Sequence, residues 1–336
     1  MRKGLGAGAL LTVLTLVSVR AQSPWLAEWL SDYAAGKHAE VAQRLKSVAS
    51  LKQLERELES TASKWLEGSQ GTPELRRRAL AAFVLEAAYA RIDQGTEATR
   101  LLETACRRIR RHTTPDEFDR RWHLAAFAMF AGAVDPDALE AHVAHMRFHF
   151  PKEPRLPLER AVASELRAAP FFVPPRTTPS EISKRYEEAA RRYREAVASP
   201  DPATRSEAQL RLARVELELD RPASTLEALA GLQSSAGDAE IRYLERLFRG
   251  MALERLGRTD EARAAYQSAL QVAPTAQSAS MALAALLFRQ GQRDAAERLV
   301  KAVLSAEQPQ DPWWIYWPAD FRRAPALIAS MRETVK

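Results

Sequence analysis

His142, His145 and His149 are the residues of this chain whose type and spacing most readily suggest chemistry. They fall at i, i+3 and i+7, so on a helix their imidazoles share one face. Imidazoles so placed ligate zinc or copper. A metal-binding or enzymatic protein built on that face is therefore one alternative. No cysteine or carboxylate motif completes a ligand set, and His-Glu-x-x-His is absent. The expectation is no metal, no cofactor, and histidines that serve packing or the surface. Cys106 is the only cysteine, so no disulfide forms within the chain. It lies in the stripe Leu102, Cys106, Ile109 and reads as a small buried hydrophobe. Phosphate-loop, dinucleotide-fold, nucleophile-elbow and zinc-finger spacings are all missing. The many carboxylates sit beside Arg or Lys at helical spacing, the ordinary pattern of surface pairing. The chain is expected not to be an enzyme.

A second group is aromatic. Asp311-Pro-Trp-Trp-Ile-Tyr-Trp-Pro318 places four aromatic rings in the five residues 313–317. Such a cluster suits sugars or proline-rich peptides, so glycan binding through the tail is another alternative. It suits equally an aromatic cap over the open end of a helical stack, with each indole burying its body and keeping one polar contact. Residues 310–336 are expected to form that cap, ending in a helix from Arg323 to about Glu333.

The elements that would carry these groups follow from a repeat. Gly250-x2-Leu253-x3-Gly257-x4-Ala262-x3-Tyr266-x2-Ala269-x4-Pro274 is echoed by Ala284-x2-Leu287-x3-Gly291-x4-Ala296-x3-Val300-x2-Val303. Gly257 and Gly291 stand 34 apart, as do Leu253 and Leu287, Ala262 and Ala296, and Tyr266 and Val300. Ala262, Tyr266 and Ala269 make one helical stripe, in which small residues let two helices approach and a large one fills the space beside them. Gly257 ends the first helix in a left-handed conformation. Thr259 and Asp260 are placed to cap the second helix, and Pro274 stops it. One such pair cannot bury its own stripe, so pairs must stack.

This grammar resembles the tetratricopeptide repeat. It is firm over 239–309, looser over 183–238, where Ala189-x3-Tyr193-x2-Ala196 is a second-helix stripe, and weak before that. The resemblance implies an all-α fold, a right-handed α-solenoid of stacked helix hairpins. It also implies a concave groove lined by the first helix of each pair, holding a protein or peptide partner. The candidate groove residues are Arg242, Glu245, Arg246, Arg249, Gln277 and Ser280, whose arginines would meet acidic side chains or a carboxylate terminus.

The remaining sequence fits around that array. The formal charge is +6, but Arg2, Lys3 and Arg20 supply three of those charges, leaving +3 on the rest. Acids and bases are otherwise interspersed, which argues against nucleic acid as a partner. Met1-Arg2-Lys3, the apolar run Leu5 to Val17, and Val19-Arg20-Ala21 have the plan of a secretory signal peptide over 1–21. The apolar run is too short to span a bilayer comfortably, and export to the periplasm is expected. Residues 22–169 read as degenerate hairpins. Trp29, Tyr33, Gly36, Val41, Leu45 and Val48 make one. Leu51 to Glu67 is a single amphipathic helix, and Ala98-x3-Leu102-x2-Ala105 follows a break at Gly95. Ala141-x3-His145-x2-Phe148 is a further expected stripe. Pro170, Pro174, Pro175 and Pro179 make 170–180 a stiff connector, tacked down by Phe171 to Val173, between these hairpins and the array of 181–309. The first helix of that array is expected from Ser180, with Ser180-x-x-Ser183 as its cap.

Overall fold

Short polar residues and prolines set the helix starts. Thr72-Pro73, Asp135-Pro136, Thr178-Pro179 and Asp201-Pro202 each put a side-chain acceptor at the cap and a proline just inside the helix. The proline has no N–H to leave unsatisfied there, and its φ is already helical. In this computed structural model, residues 24–69, 71–109, 116–169, 176–232, 238–306, 311–316 and 323–335 are described. Among them there are seventeen α-helices and no strand.

The helices are α1 (Pro24–Ala34), α2 (His38–Lys46), α3 (Leu51–Glu67), α4 (Pro73–Ala90), α5 (Gly95–Ile109), α6 (Glu117–Gly132), α7 (Pro136–His149) and α8 (Leu156–Ala168). They continue with α9 (Pro179–Val197), α10 (Pro202–Glu218), α11 (Pro222–Ala230), α12 (Ala239–Arg255), α13 (Thr259–Val272), α14 (Gln277–Arg289), α15 (Arg293–Leu304), α16 (Pro312–Tyr316) and α17 (Ala324–Glu333). From α4 to α15 they pair as successive hairpins, and the first helix of each pair packs on the first helix of the next. This is the all-α solenoid that the repeat implies.

The spacing rules hold in detail in the strong repeat. A Cβ added at Gly250 would stand 2.4 Å from the Tyr266 ring, so only glycine admits that tyrosine between α12 and α13. Tyr266, Ala262 and Ala269 are buried, as are Leu253, Leu287 and Ala296. Gly257 and Gly291 take φ of +72° and +79° at the turns. Asp220 adopts φ of +55° at the equivalent turn between α10 and α11, where the short carboxylate tolerates the left-handed region. Pro274 lies two residues beyond the end of α13.

Several local expectations differ from the fold. Helix α9 starts at Pro179, and Thr178 forms a capping box with Glu181 in place of Ser180 and Ser183. Helix α13 has no side-chain cap; the Thr259 hydroxyl donates back to the Gly257 carbonyl and Asp260 pairs with Arg263. On α7 the buried stripe is Ala138, Leu139, His142, Val143 and Met146, while Ala141 and Phe148 face outward. Alternating small and large residues permit either phase there, and packing on α6 and α8 selects one.

The joint also differs. Helix α8 is the hairpin partner of α9 across the proline-rich segment: Arg185 Nη1 donates to the Arg167 carbonyl at 2.9 Å, and the Tyr193 hydroxyl donates to Glu165. The stripe Ala189, Tyr193, Ala196 thus finds its first helix in the half assigned to 22–169. One apolar core runs from α1 to α10 and takes in α17; a second runs from α10 to α15 and takes in Tyr316. The cores meet on α10. The signal segment 1–21, residues 170–175 with Phe171 to Val173, the Cys106 side chain, and Trp317, Pro318 and Phe321 lie outside what is described.

Candidate functional site

The first helices carry the repeat period on one inner face. Arg214, Phe248 and Ala282 stand 34 apart, and so do Leu217, Met251 and Ala285. These two ladders, one residue from each of α10, α12 and α14, line a cavity of about 560 Å³. Leu247 and Tyr266 complete its floor, Glu218, Glu254 and Arg255 its rim, and Trp313 one wall. Its volume falls in the range of sites that bind ligands or anchor side chains.

The six groove residues named from the sequence do not line this cavity. They sit on α12 and α14 out of phase with the two ladders, since one residue along a helix turns the side chain by about 100°. Arg246 Nη1 donates to the Ser268 carbonyl at 2.8 Å, turned toward α13. Arg249 Nε donates to Glu245 at 2.7 Å, so the two charges neutralise each other within α12. Ser280 is buried on α14, and Arg242 and Gln277 are partly buried. The repeat period held the missing signal: stepping 34 residues from any inner position generates its ladder.

The C-terminal segment occupies this face. On the last hairpin, Phe288 and Leu304 remain exposed. Residues 311–316 lie against α10, α12 and α14. Asp311 is only 1% exposed. Its Oδ2 accepts from the Ser278 N–H at 2.5 Å, and its Oδ1 accepts from the Trp313 N–H at 2.9 Å. Helix α14 has no side-chain cap of its own at Ala276, so Asp311 caps it from the far end of the chain. The carboxylate therefore sits where the N–H groups and dipole of α14 favour negative charge. Tyr243 links the same groups: its hydroxyl accepts from the Ala279 N–H at 3.3 Å and donates to Asp311 Oδ1 at 3.4 Å. Burial, reinforced by Asp311, raises the Tyr243 pKa and keeps the donor protonated.

The rings are seated as specifically. Trp313 meets Phe248 edge-on, centroids 5.5 Å apart, with the Arg214 guanidinium 5.0 Å from its ring. Tyr316 is buried beneath Arg211, whose guanidinium lies 4.4 Å from the ring centre and whose Nη2 donates to the Tyr316 carbonyl at 3.1 Å. Such contacts contribute about 0.5–2 kcal/mol each. Trp314 points to solvent, 51% exposed.

The arginines are held by a buried network on α8 and α10. Arg211 Nε donates to Glu207 at 3.1 Å and its Nη1 to Glu165 at 3.4 Å; Arg155 bridges Glu159 and Glu207 at 2.9 and 3.0 Å. Burial acts to raise Glu207, but Arg155, Arg211 and Arg323 outweigh it and bring it down to about 2. Burial raises Glu159 and takes Arg214 down to about 10. Arg214 thus stays charged beside Trp313.

Beyond residues 317–322 the chain reaches α17, which packs on α6 and α4. Ala324, Ile328, Met331 and Val335 enter the first core, and Arg332 Nε donates to Glu86 Oε2 at 3.0 Å. Tyr33 donates to the same carboxylate at 3.1 Å. The two described parts of the tail therefore both lie on first helices, 311–316 on α10, α12 and α14, and α17 on α4 and α6.

The histidine face turns inward. His142 Nε2 stands 3.2 Å from Nδ1 of His123 on α6, and the rings of His123, His145 and His149 follow in a row with centroids 5.0 and 4.5 Å apart. His123 is a fourth member that the sequence did not single out, since it lies on another helix. The row packs against Trp122, Phe127, Phe130 and Phe150. Among the described residues, no three His, Cys, Asp or Glu side chains converge as a metal-binding group.

A stacked first-helix face that holds a polypeptide segment defines the class: an α-solenoid suited to protein interaction. More particularly, a tetratricopeptide-repeat family model matches residues 253–315, and a tetratricopeptide repeat-like domain model matches 180–281. Residues 180–315 thus carry tetratricopeptide-type repeats. No curated protein matches it. Among solved structures it is similar to MamA 41-end from Desulfovibrio magneticus RS-1, at 16% identity over 59% of this chain and 99% of that one, TM-score 0.42. A MamA RS-1 ArsTM double mutant gives 15%, 57%, 95% and 0.41, and the apo form of RapI 10%, 91%, 84% and 0.46.

Proposed function

We propose that this chain is a non-catalytic, exported scaffold that binds a polypeptide partner on the face formed by α10, α12 and α14. The supporting observation is that this face already receives a peptide, residues 311–316, through carboxylate, indole and phenol contacts, and leaves a cavity of about 560 Å³ beside it. The wall joins apolar groups, which supply burial, to a few charged groups at the rim, which supply orientation. A sugar-binding role for the tail gains no support, because the Trp313 and Tyr316 rings are engaged by Arg214, Phe248 and Arg211. Export rests on residues 1–21. Among the described residues no helix is long and apolar enough to cross a membrane.

Crosslinking and affinity capture from the cell envelope fraction test the scaffold. Ala285→Trp fills the cavity from an exposed position and serves as the control. A protein retained by the wild type and lost by this variant is the expected result. Retention that Ala285→Trp does not alter would remove the cavity from the function. Intact-mass measurement tests export: a mature chain beginning at Gln22 is expected, and an uncleaved chain confined to the cytosol would contradict it.

A further inference from the structure

The tail is held at two places of different kind. Helix α17 is anchored in a core: Ala324, Ile328, Met331 and Val335 are each at most 2% exposed. Residues 311–316 are held by a set of directional contacts on one short helix. Three seats are distinct. The α14 N-terminus and the Tyr243 hydroxyl take a carboxylate. Phe248 and Arg214 take an indole two residues on. Arg211 takes a phenol three residues further, together with its backbone carbonyl. The first helices α10, α12 and α14 also pack on one another directly, apart from these seats. The cavity opens alongside Trp313, which leaves room for an incoming chain to settle before the indole leaves.

We infer that residues 311–316 are a resident pseudo-ligand, and that the partner carries a segment of the same chemistry, a carboxylate followed by an indole and then a phenol at the spacing Asp-x-Trp-x-x-Tyr, which exchanges with the tail while α17 stays anchored. This deepens the scaffold reading and rests on it. The carboxylate gives polarity, because only one end of α14 attracts it. The rings give most of the buried area. A tethered occupant competes at high effective concentration, on the order of millimolar for a short tether, so affinity measured on the intact chain is reduced by the fraction of time the seat is filled.

The probe is a labelled, end-blocked peptide of residues 311–318, added to the full chain and to an Asp311→Ala/Trp313→Ala/Tyr316→Ala variant, with binding followed by anisotropy. At least tenfold tighter binding to the variant is expected, with a fivefold or greater loss when the peptide carries Asn in place of its Asp. Equal binding to both proteins, or no binding to a variant that retains the wild-type circular dichroism, overturns the inference. Should the variant unfold, hydrogen exchange on the unaltered chain decides. Excess peptide is expected to speed exchange at Trp313, Trp314 and Ser278 and to leave α17 protected. Unchanged exchange at these amides, or joint release of α17, overturns it. Envelope capture that succeeds without peptide exchange sinks the pseudo-ligand alone. Peptide exchange with an empty capture sinks the partner and leaves the seat.

Discussion

The two places where the C-terminal tail meets the solenoid differ in kind. At α4 and α6 the tail adds apolar side chains to an existing core and closes it with the Arg332–Glu86 pair. At α10, α12 and α14 it contributes one carboxylate and two engaged rings, with a cavity beside them and Trp314 in solvent. Apolar burial is non-directional and adds with area, so the first contact behaves as part of the fold. The second depends on the orientation of a few polar and ring contacts. The same backbone is thus an integral helix at one end and a seated peptide at the other.

The largest effect is expected at the apolar end. Ile328→Ala or Met331→Ala removes fully buried groups and should each cost about 2–5 kcal/mol, measured by urea unfolding. A loss below about 1 kcal/mol would erase the contrast and make both ends peptide-like.

The wall beneath the seat comes next, through its pH dependence. Glu207 has a folded pKa of about 2, below its unfolded value near 4.3, so it binds fewer protons folded than unfolded. Its contribution is present above pH ~4.3 and is lost as pH falls toward 2, about 3 kcal/mol across that window. Glu159 is raised and acts in the opposite sense, gaining stability on acidification. Glu207→Gln should flatten the acid limb of a stability–pH curve. An acid limb as steep as the wild type's would remove Glu207 from the support of Arg211 and Tyr316.

Gly250→Ala tests the repeat that positions the seat. The added methyl meets the Tyr266 ring at 2.4 Å and should cost about 1–3 kcal/mol in thermal unfolding. A neutral outcome would mean that α12 and α13 separate easily.

Trp314→Ala should have the smallest effect, within about 0.5 kcal/mol by the same unfolding measurement, because its ring is exposed. A larger loss would show the seat extending to the outer indole.

Much of the architecture was legible because it is local. Glycine at a left-handed turn and small–large–small stripes at 34-residue spacing act within one hairpin or between neighbours. The cavity positions were not singled out because choosing the arginines of α12 ignored helical phase, whereas Arg214, Phe248, Ala282 and Leu217, Met251, Ala285 share the repeat period. The destination of the tail was not legible at all. Asp311 and Ser278 are 33 residues apart, Tyr316 and Arg211 are 105 apart, and Arg332 and Glu86 are 246 apart.

By itself, then, the sequence determined the hairpin, its period and the need to stack, since these follow from side-chain size and backbone freedom over a few turns. It also carried the aromatic and acidic groups of the tail, but not their partners. Tertiary structure decided that α8 pairs with α9, that His123 joins the histidine row, and that residues 311–316 and α17 each settle on first helices. Each of these depends on which distant surfaces exclude water together, and a periodicity confined to neighbouring turns holds no record of that choice.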